Sequence, residues 1–126
     1  MSSYEALAVE IKDNVAQVTL LGPGKGNAMG PAFWKEMPVV FAELDADPQV
    51  RAIVITGSGK HFSFGLDLMA MGPSLPSAGG GEASARSRTN FHTMVKQLQD
   101  SITAVAECRT PTVAAVHGWC IGGGVD

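Results

Sequence analysis

The residues best suited to chemistry lie in a glycine-rich turn at positions 117–126. Gly122, Gly123 and Gly124 follow one another there, and Asp126 comes two residues later. Because glycine has no side chain, the backbone N–H groups of such a turn stay open to a ligand. Amide donors stabilise a developing negative charge, and a nearby carboxylate moves protons. The turn therefore predicts a site for an anionic intermediate, with Asp126 as its acid or base.

Another turn of the same kind is predicted earlier in the chain, at residues 62–65. It follows the apolar run 51–57, as the glycine-rich turn follows the apolar run 112–116. Both runs predict buried strands, and neighbouring strands would bring one N–H from each turn together as an oxyanion hole. Two simpler alternatives remain open. The first is that both are generic glycine turns of an α/β protein. The second is that Asp126 only interacts with free amides at a helix N-terminus.

The order of the elements predicts an α/β fold. Alternating apolar residues indicate a β-hairpin with strands at 7–11 and 15–21. A helix is expected from Pro31 to about residue 44, with a kink at Pro38, and a five-turn amphipathic helix at 88–107. Helices that alternate with buried strands are typical of α/β proteins.

Composition argues against several classes of function. The 126 residues suffice for one domain, and a net charge of −3 does not favour nucleic-acid binding. No apolar run approaches the roughly 18 residues that span a bilayer, and the first residues do not resemble a signal peptide. Cys108 and Cys120 are not spaced as a metal knuckle, so we expect two free thiols, no metal site and a cytoplasmic location.

The stretch 72–87, rich in Gly, Ser and Pro, predicts a mobile surface loop or lid.

Other polar residues have structural interpretations. Asp67 is expected to cap a short helical turn rather than to act in catalysis. His61, His92 and His117 have no paired nucleophile in their sequence context, so structural roles are expected for them. The three consecutive glycines match neither G-x-G-x-x-G nor a Walker loop, so dinucleotide binding is not expected.

Four segments together resemble the enoyl-CoA hydratase/isomerase (crotonase) superfamily, in order and at its usual spacing. They are KGNAM at 25–29, HFSFGLDL at 61–68, TPTVAAVHG at 110–118 and GGGVD at 122–126. The resemblance covers essentially the whole chain. It implies a spiral of ββα units, of which residues 1–126 would be the N-terminal portion of a single domain. The C-terminal half and the trimerisation helices would then be absent, and such a piece alone is expected to be inactive.

The resemblance also implies a ligand and site residues. The substrate would be an acyl-CoA thioester, whose enolate is stabilised by the backbone amides of Phe64 and Gly123. Coenzyme A is part of that substrate, so no separate cofactor is expected. Phe64 replaces the small residue usual in the family, and its ring is expected to crowd the ligand path. The remaining residues expected to bind substrate are Lys25, Ala28, Phe62, Asp67, Leu68 and Gly122.

Asp126 occupies the position of the first catalytic acid, which is glutamate in the hydratases. Aspartate in this context looks more like the Δ3,5-Δ2,4-dienoyl-CoA isomerase branch, where acids relay a proton across a conjugated acyl chain. An enoyl-CoA hydratase is the alternative, and a non-catalytic CoA-binding protein of the same fold is a further one. The partner acids of both enzymes lie beyond residue 126. The resemblance implies a homo-trimer or hexamer, with no nucleic-acid or membrane partner.

Overall fold

The computed structural model describes residues 3–22, 25–75 and 85–126. Four strands, three α-helices and three short 3₁₀ turns occur in these ranges. The strands are β1 Leu7–Lys12, β2 Val15–Leu20, β3 Ala52–Gly57 and β4 Thr112–Ala115. The helices are α1 Pro31–Ala46, α2 Leu68–Met71 and α3 Ala85–Glu107, and the 3₁₀ turns are Lys25–Asn27, Gly72–Ser74 and Gly122–Gly124.

The predicted hairpin is confirmed. Strands β1 and β2 are antiparallel, with Leu7 opposite Leu20 and Lys12 opposite Val15. The two turn residues have positive φ, 51° at Asp13 and 65° at Asn14. Asp and Asn adopt this left-handed conformation more readily than other residues with a side chain, so the local sequence selects a tight turn here.

The sheet has the order β1-β2-β3-β4, and its last two pairings are parallel. Strands β3 and β4 are neighbours, with Ile53 opposite Thr112 and Thr56 opposite Ala115. Parallel neighbours end at the same edge of a sheet. The two glycine turns that follow β3 and β4 therefore start side by side, as the sequence predicted.

Helix α1 supplies most of the core that faces the sheet. It begins at Pro31, as predicted, and continues through Pro38 as one helix to Ala46. Helix α3 packs on α1, and the Ser101 hydroxyl donates to the Trp34 carbonyl oxygen at 2.6 Å. Buried apolar residues from the sheet and α1 form one cluster, which includes Ala16, Val18, Leu20, Phe33, Met37, Val40, Phe41, Leu44, Ile53 and Ile55.

The predicted burial of the last strand is wrong. In β4 the Val113 side chain is 61% exposed, and within the described residues the strand pairs with β3 alone. Strand β3 is buried at Ile53 and Ile55 but only half-buried at the alternate positions, Ala52, Val54 and Thr56. An apolar run indicates the length of a strand, but the burial of the strand's side chains depends on which elements pack over each face of the sheet.

Helix α3 begins three residues earlier than predicted, at Ala85. The predicted loop at 72–87 starts with the 3₁₀ turn Gly72–Ser74, and its residues 76–84 lie outside the described residues. Cys108 and Cys120 are half-buried free thiols, as expected. No helix in the described part of the chain combines the length and apolarity needed to cross a bilayer.

Candidate active site

The turns after β3 and β4 are joined to each other by backbone hydrogen bonds. An isolated parallel bridge pairs Ser63 with Cys120. The Ile121 N–H donates to the Ser63 carbonyl oxygen at 3.1 Å, and the Ser63 N–H donates to the Trp119 oxygen at 3.3 Å. The bridge brings residues 64–67 against the glycine-rich turn at 122–124.

Two glycines make this close approach possible. Gly65 has φ +84°, and a Cβ on it would lie 2.8 Å from both the Gly123 nitrogen and the Ile121 oxygen. A Cβ on Gly124 would lie 2.9 Å from the Ser63 oxygen. Contacts this short leave no room for a side chain, so glycine is required at both positions for the turns to meet.

The amide of Leu66 points toward the glycine-rich turn. The Gly65 carbonyl oxygen accepts from the Met29 N–H at 2.7 Å on one side of the chain. In a trans peptide the N–H points opposite to the C=O, so the Leu66 N–H points away from Met29. A Cβ built on Gly123 would lie 3.9 Å from the Leu66 nitrogen, which places that amide beside Gly123.

The N–H groups of Leu66 and Gly123 have no hydrogen-bond acceptor within residues 3–22, 25–75 and 85–126. The Gly123 amide belongs to the 3₁₀ turn, where only the N–H groups of Gly124 and Val125 bond back to Ile121 and Gly122. Two adjacent amides that are free in this way can hold one oxygen that carries negative charge.

The structure corrects the assignment of Phe64. Its N–H donates to the Gly26 carbonyl oxygen at 2.8 Å and is therefore not available to a ligand. The amide on this turn that has no acceptor in the described ranges is that of Leu66, two residues later. The Phe64 ring packs on Gly26, where a Cβ would collide with the ring. The role expected for the Gly123 amide stays a prediction.

An aromatic cluster lies beside the two turns. Phe64, His61 and Trp119 have ring centroids between 5.2 and 5.6 Å apart. The Trp119 N–H donates to His61 Nδ1 at 3.0 Å, and His117 Nε2 lies 2.9 Å from the Gly59 oxygen. These contacts give His61 and His117 structural roles, as the sequence predicted.

Asp126 lies on the border of an apolar cavity of about 220 Å³, together with Gly123 and Gly124. Side chains from the sheet, from α1 and from α3 line the cavity, as do Met29 and Phe62. Asp126 is exposed, and its carboxylate makes no hydrogen bond or ion pair within the described ranges. The carboxylate and the Gly123 amide thus share one side of the site.

The residues expected to bind the ligand differ in exposure. Lys25 is exposed and Ala28 is half-buried, both on the loop before α1. Phe62 is buried in the core cluster, whereas Leu68 is 69% exposed. Asp67 caps α2, since its Oδ1 accepts from the Ala70 N–H at 3.0 Å, and the predicted capping role is confirmed.

The turn at 62–67 (the first turn) is held in place by the loop at 25–29 through three backbone hydrogen bonds. The Phe64 N–H donates to Gly26, the Met29 N–H donates to Gly65, and the Asp67 N–H donates to Met29 at 3.0 Å. Gly122 lies on the opposite turn with φ +54° and is exposed. The structure therefore brings Gly26, Gly65 and Gly123 together, although they are far apart in sequence.

Sequence reasoning missed three residues here, namely Asn27, Ser63 and Leu66. Asn27 and Ser63 are buried polar residues, and both bond to the chain around the first turn. An asparagine after a glycine is a common left-handed turn signal, and Asn27 has φ +54°. That signal was present in the KGN segment. The direction of the Leu66 amide has no comparable signal in the sequence.

Comparison with known proteins identifies relatives across nearly the whole chain. A family model described as enoyl-CoA hydratase/isomerase matches residues 10–126. The chain is 39% identical over 125 residues to the mitochondrial Δ(3,5)-Δ(2,4)-dienoyl-CoA isomerase of Mus musculus, covering 98% of this chain and 38% of that protein. It is 36% identical over 129 residues to the peroxisomal Δ(3,5)-Δ(2,4)-dienoyl-CoA isomerase of Arabidopsis thaliana, covering 100% and 46%. The chain thus spans less than half the length of these relatives.

Solved structures give the same result for the fold. An enoyl-CoA hydratase/isomerase from Xanthobacter autotrophicus Py2 superposes with a TM-score of 0.82 at 27% identity, covering 97% of this chain and 42% of that one. An enoyl-CoA hydratase from Mycobacterium smegmatis gives a TM-score of 0.76 at 26% identity, covering 96% and 43%. The four-stranded sheet and its helices therefore have the α/β fold of the matched part of these enzymes.

Proposed function

Because the chain belongs to the enoyl-CoA hydratase/isomerase family, we propose that the protein binds acyl-CoA thioesters and stabilises a thioester enolate. The observation that carries the proposal is the pair of adjacent amides on Leu66 and Gly123, neither of which has an acceptor in the described ranges. The thioester carbonyl oxygen would accept from both. This pair differs from the one expected from sequence, which consisted of the Phe64 and Gly123 amides.

The two amides would act on the substrate by stabilising charge. As a proton leaves the carbon next to the thioester carbonyl, the oxygen gains negative charge, and two fixed N–H donors stabilise it. Losing one such donor typically costs about a hundredfold or more in rate. Asp126 would supply or take the proton, because it lies beside Gly123. No step in this scheme needs a metal or a separate cofactor.

The reaction we favour is the isomerisation of a 3,5-dienoyl-CoA to a 2,4-dienoyl-CoA, as part of fatty acid β-oxidation. Two relatives that match nearly all of the chain are named as enzymes of this reaction. The chain also has aspartate at position 126, where the hydratases have glutamate according to the resemblance. A proton removed from one carbon would return several carbons away, and the resemblance implies a second acid for this transfer, at a position beyond residue 126.

Hydration of a 2-enoyl-CoA is the alternative reaction. A hydratase from Mycobacterium smegmatis shares the fold at 26% identity, so the scaffold is compatible with both reactions. A non-catalytic CoA-binding protein is the further alternative, and it would keep the amide pair without needing Asp126. The three functions differ in what happens to a bound acyl-CoA.

The test is to incubate the intact protein separately with a 3,5-dienoyl-CoA and a 2-enoyl-CoA. The ultraviolet absorbance of the conjugated diene and the mass of the product distinguish a shifted double bond from added water. We expect the diene shift to be the faster reaction. Fast hydration without a diene shift would favour the hydratase. Binding of both ligands without any product would favour the non-catalytic protein.

Assembly and location follow from the same proposal. We expect the intact protein to form a homo-trimer or a hexamer, which analytical ultracentrifugation would measure. We also expect it in the cytoplasm, although two relatives are named as mitochondrial and peroxisomal enzymes. Microscopy of a tagged protein would distinguish the cytoplasm from these organelles. We expect acyl-CoA, and neither nucleic acid nor membrane, as the partner.

A further inference from the structure

We infer that Asn27 and Ser63 are positioning residues, which together aim the Leu66 amide at the thioester oxygen. The inference rests on the proposed function, because it gives a role to the groups that hold one amide of the proposed pair. Neither side chain forms a hydrogen bond with the Leu66 or the Gly123 amide in the described ranges. They act through the backbone on both sides of Gly65.

Asn27 is a buried polar side chain whose bonding groups are all used. It is 6% exposed, and its Nδ2 donates to the carbonyl oxygens of Ser58 at 2.9 Å, His61 at 2.9 Å and Phe62 at 3.1 Å. Its Oδ1 accepts from the Ser58 hydroxyl at 2.9 Å. These bonds attach the loop before α1 to the chain between β3 and the first turn. Buried polar networks that are fully satisfied in this way hold one conformation.

Ser63 continues the network to the site. Its side chain is fully buried, and its hydroxyl donates to the Asn27 carbonyl oxygen at 3.0 Å. The Ser63 hydroxyl oxygen in turn accepts from the Gly65 N–H at 3.1 Å. Ser63 thereby fixes the peptide that precedes Gly65, while Met29 fixes the peptide that follows it.

The two fixed peptides determine where the Leu66 N–H points. Gly65 has φ +84°. Because glycine has no side chain, its backbone has more freedom than that of any other residue type, and rotation at Gly65 would turn the next amide, that of Leu66. Ser63 holds the N–H of Gly65, and Met29 holds its carbonyl oxygen at 2.7 Å. With both held, the Leu66 amide keeps one direction before a ligand arrives. Such preorganised donors stabilise a transition state without reorganising during the reaction.

The experiment compares two serine variants of the intact protein. Ser63→Ala removes the hydroxyl that links Asn27 to Gly65. Ser101→Ala is the matched control, because Ser101 is also fully buried and its hydroxyl also donates to a backbone oxygen, that of Trp34 at 2.6 Å, but has no bond to the first turn. Asn27→Asp is the third variant, because it places a carboxylate oxygen against the three carbonyl oxygens that the Asn27 amide now contacts.

The first readout is the infrared carbonyl band of a bound saturated acyl-CoA, isotopically labelled at its thioester carbonyl. Two aligned N–H donors lower the frequency of that band, and a loss of alignment restores it toward the value in water. The second readout is kcat and KM with the substrate that the intact protein turns over. Thermal unfolding of each variant separates lost alignment from lost folding.

We expect Ser63→Ala to remove a large part of the band shift and to lower kcat about a hundredfold, with KM changed much less. Ser101→Ala should keep both at the parent values, and Asn27→Asp, if it folds, should resemble Ser63→Ala. A full band shift and parent kcat in folded Ser63→Ala would overturn the inference while leaving the proposed function in place. No band shift in the parent protein would overturn the proposed function, and the inference with it.

Discussion

Gly65 packs directly on the backbone of Gly123, so that a Cβ on Gly65 would lie 2.8 Å from the Gly123 nitrogen. Gly65→Ala should therefore push the two turns apart and separate the Leu66 and Gly123 amides. Since one lost oxyanion donor costs about a hundredfold or more, we expect kcat to fall by at least that factor. Steady-state kinetics of the intact protein with its acyl-CoA substrate would measure the change.

Gly59→Ala is the control for this prediction. Gly59 also has a positive φ, +73°, but a Cβ there would meet nothing within 4 Å. Both variants bear the cost of a left-handed backbone, about 1 to 2 kcal/mol of unfolding free energy. Only Gly65→Ala should lose activity beyond the effect of stability. Equal losses of kcat in the two variants would show that the contact between the turns does not matter.

The assignment of Leu66 in place of Phe64 predicts different effects of removing each N–H. Replacing the amide before Leu66 by an ester, through incorporation of the matching hydroxy acid, removes the proposed donor and should lower kcat about a hundredfold. The same change before Phe64 removes its bond to Gly26 and should lower stability by roughly 1 kcal/mol, with a much smaller effect on kcat. A larger loss of kcat at Phe64 than at Leu66 would restore the original assignment.

Much of this fold could be predicted because local chemistry and tertiary structure agree. The alternation in β2 placed Ala16 and Val18 on one face, and both are fully buried. The hairpin turn lies at Asp13 and Asn14, residues that tolerate positive φ. Helix α1 starts at Pro31, where the missing N–H of proline costs nothing. Each of these features depends on a few neighbouring residues.

The parts that could not be predicted depend on contacts between distant residues. The direction of the Leu66 amide depends on the hydrogen bond from Met29, which lies before α1, whereas the resemblance placed the donor at Phe64. The exposure of Val113 depends on which elements pack over each face of β4. Neither a run of apolar residues nor a glycine pattern carries this information.

The carboxylate of Asp126 offers a test that separates catalysis from binding. Asp126→Asn keeps the size of the side chain but removes its ability to exchange a proton at neutral pH. We expect acyl-CoA binding to change little, because Asp126 makes no bond to the rest of the described chain, while kcat should fall by about 100-fold or more. Isothermal titration with a saturated acyl-CoA and steady-state kinetics measure the two effects. An Asp126→Asn protein with parent kcat would overturn the role of Asp126 as the acid or base of the reaction.

Asp45, a carboxylate away from the site, contributes to the pH dependence of the free energy of unfolding. Asp45, near the end of α1, accepts from both the N–H and the hydroxyl of Thr110 at 2.9 Å. These hydrogen bonds lower the pKa of Asp45 from 3.8 to about 2, and a bond from Thr110 backbone is the largest cause. The contact anchors the segment that leads from α3 into β4, and so positions the strand that carries the glycine-rich turn.

Because the pKa of Asp45 is lower in the folded protein than in the unfolded chain, its contribution to stability should be complete above about pH 4 to 5. It should then decline as the pH falls toward 2, where the folded protein also takes up the proton. Asp45→Asn should therefore be less stable than the parent at neutral pH, with the difference shrinking between pH 4 and 2. Urea unfolding across this range would measure it. The control is Asp100→Asn, which breaks an exposed pair between Lys96 and Asp100 on α3 and should change stability little at any pH. A stability difference for Asp45→Asn that stays constant down to pH 2 would contradict the role assigned to this carboxylate.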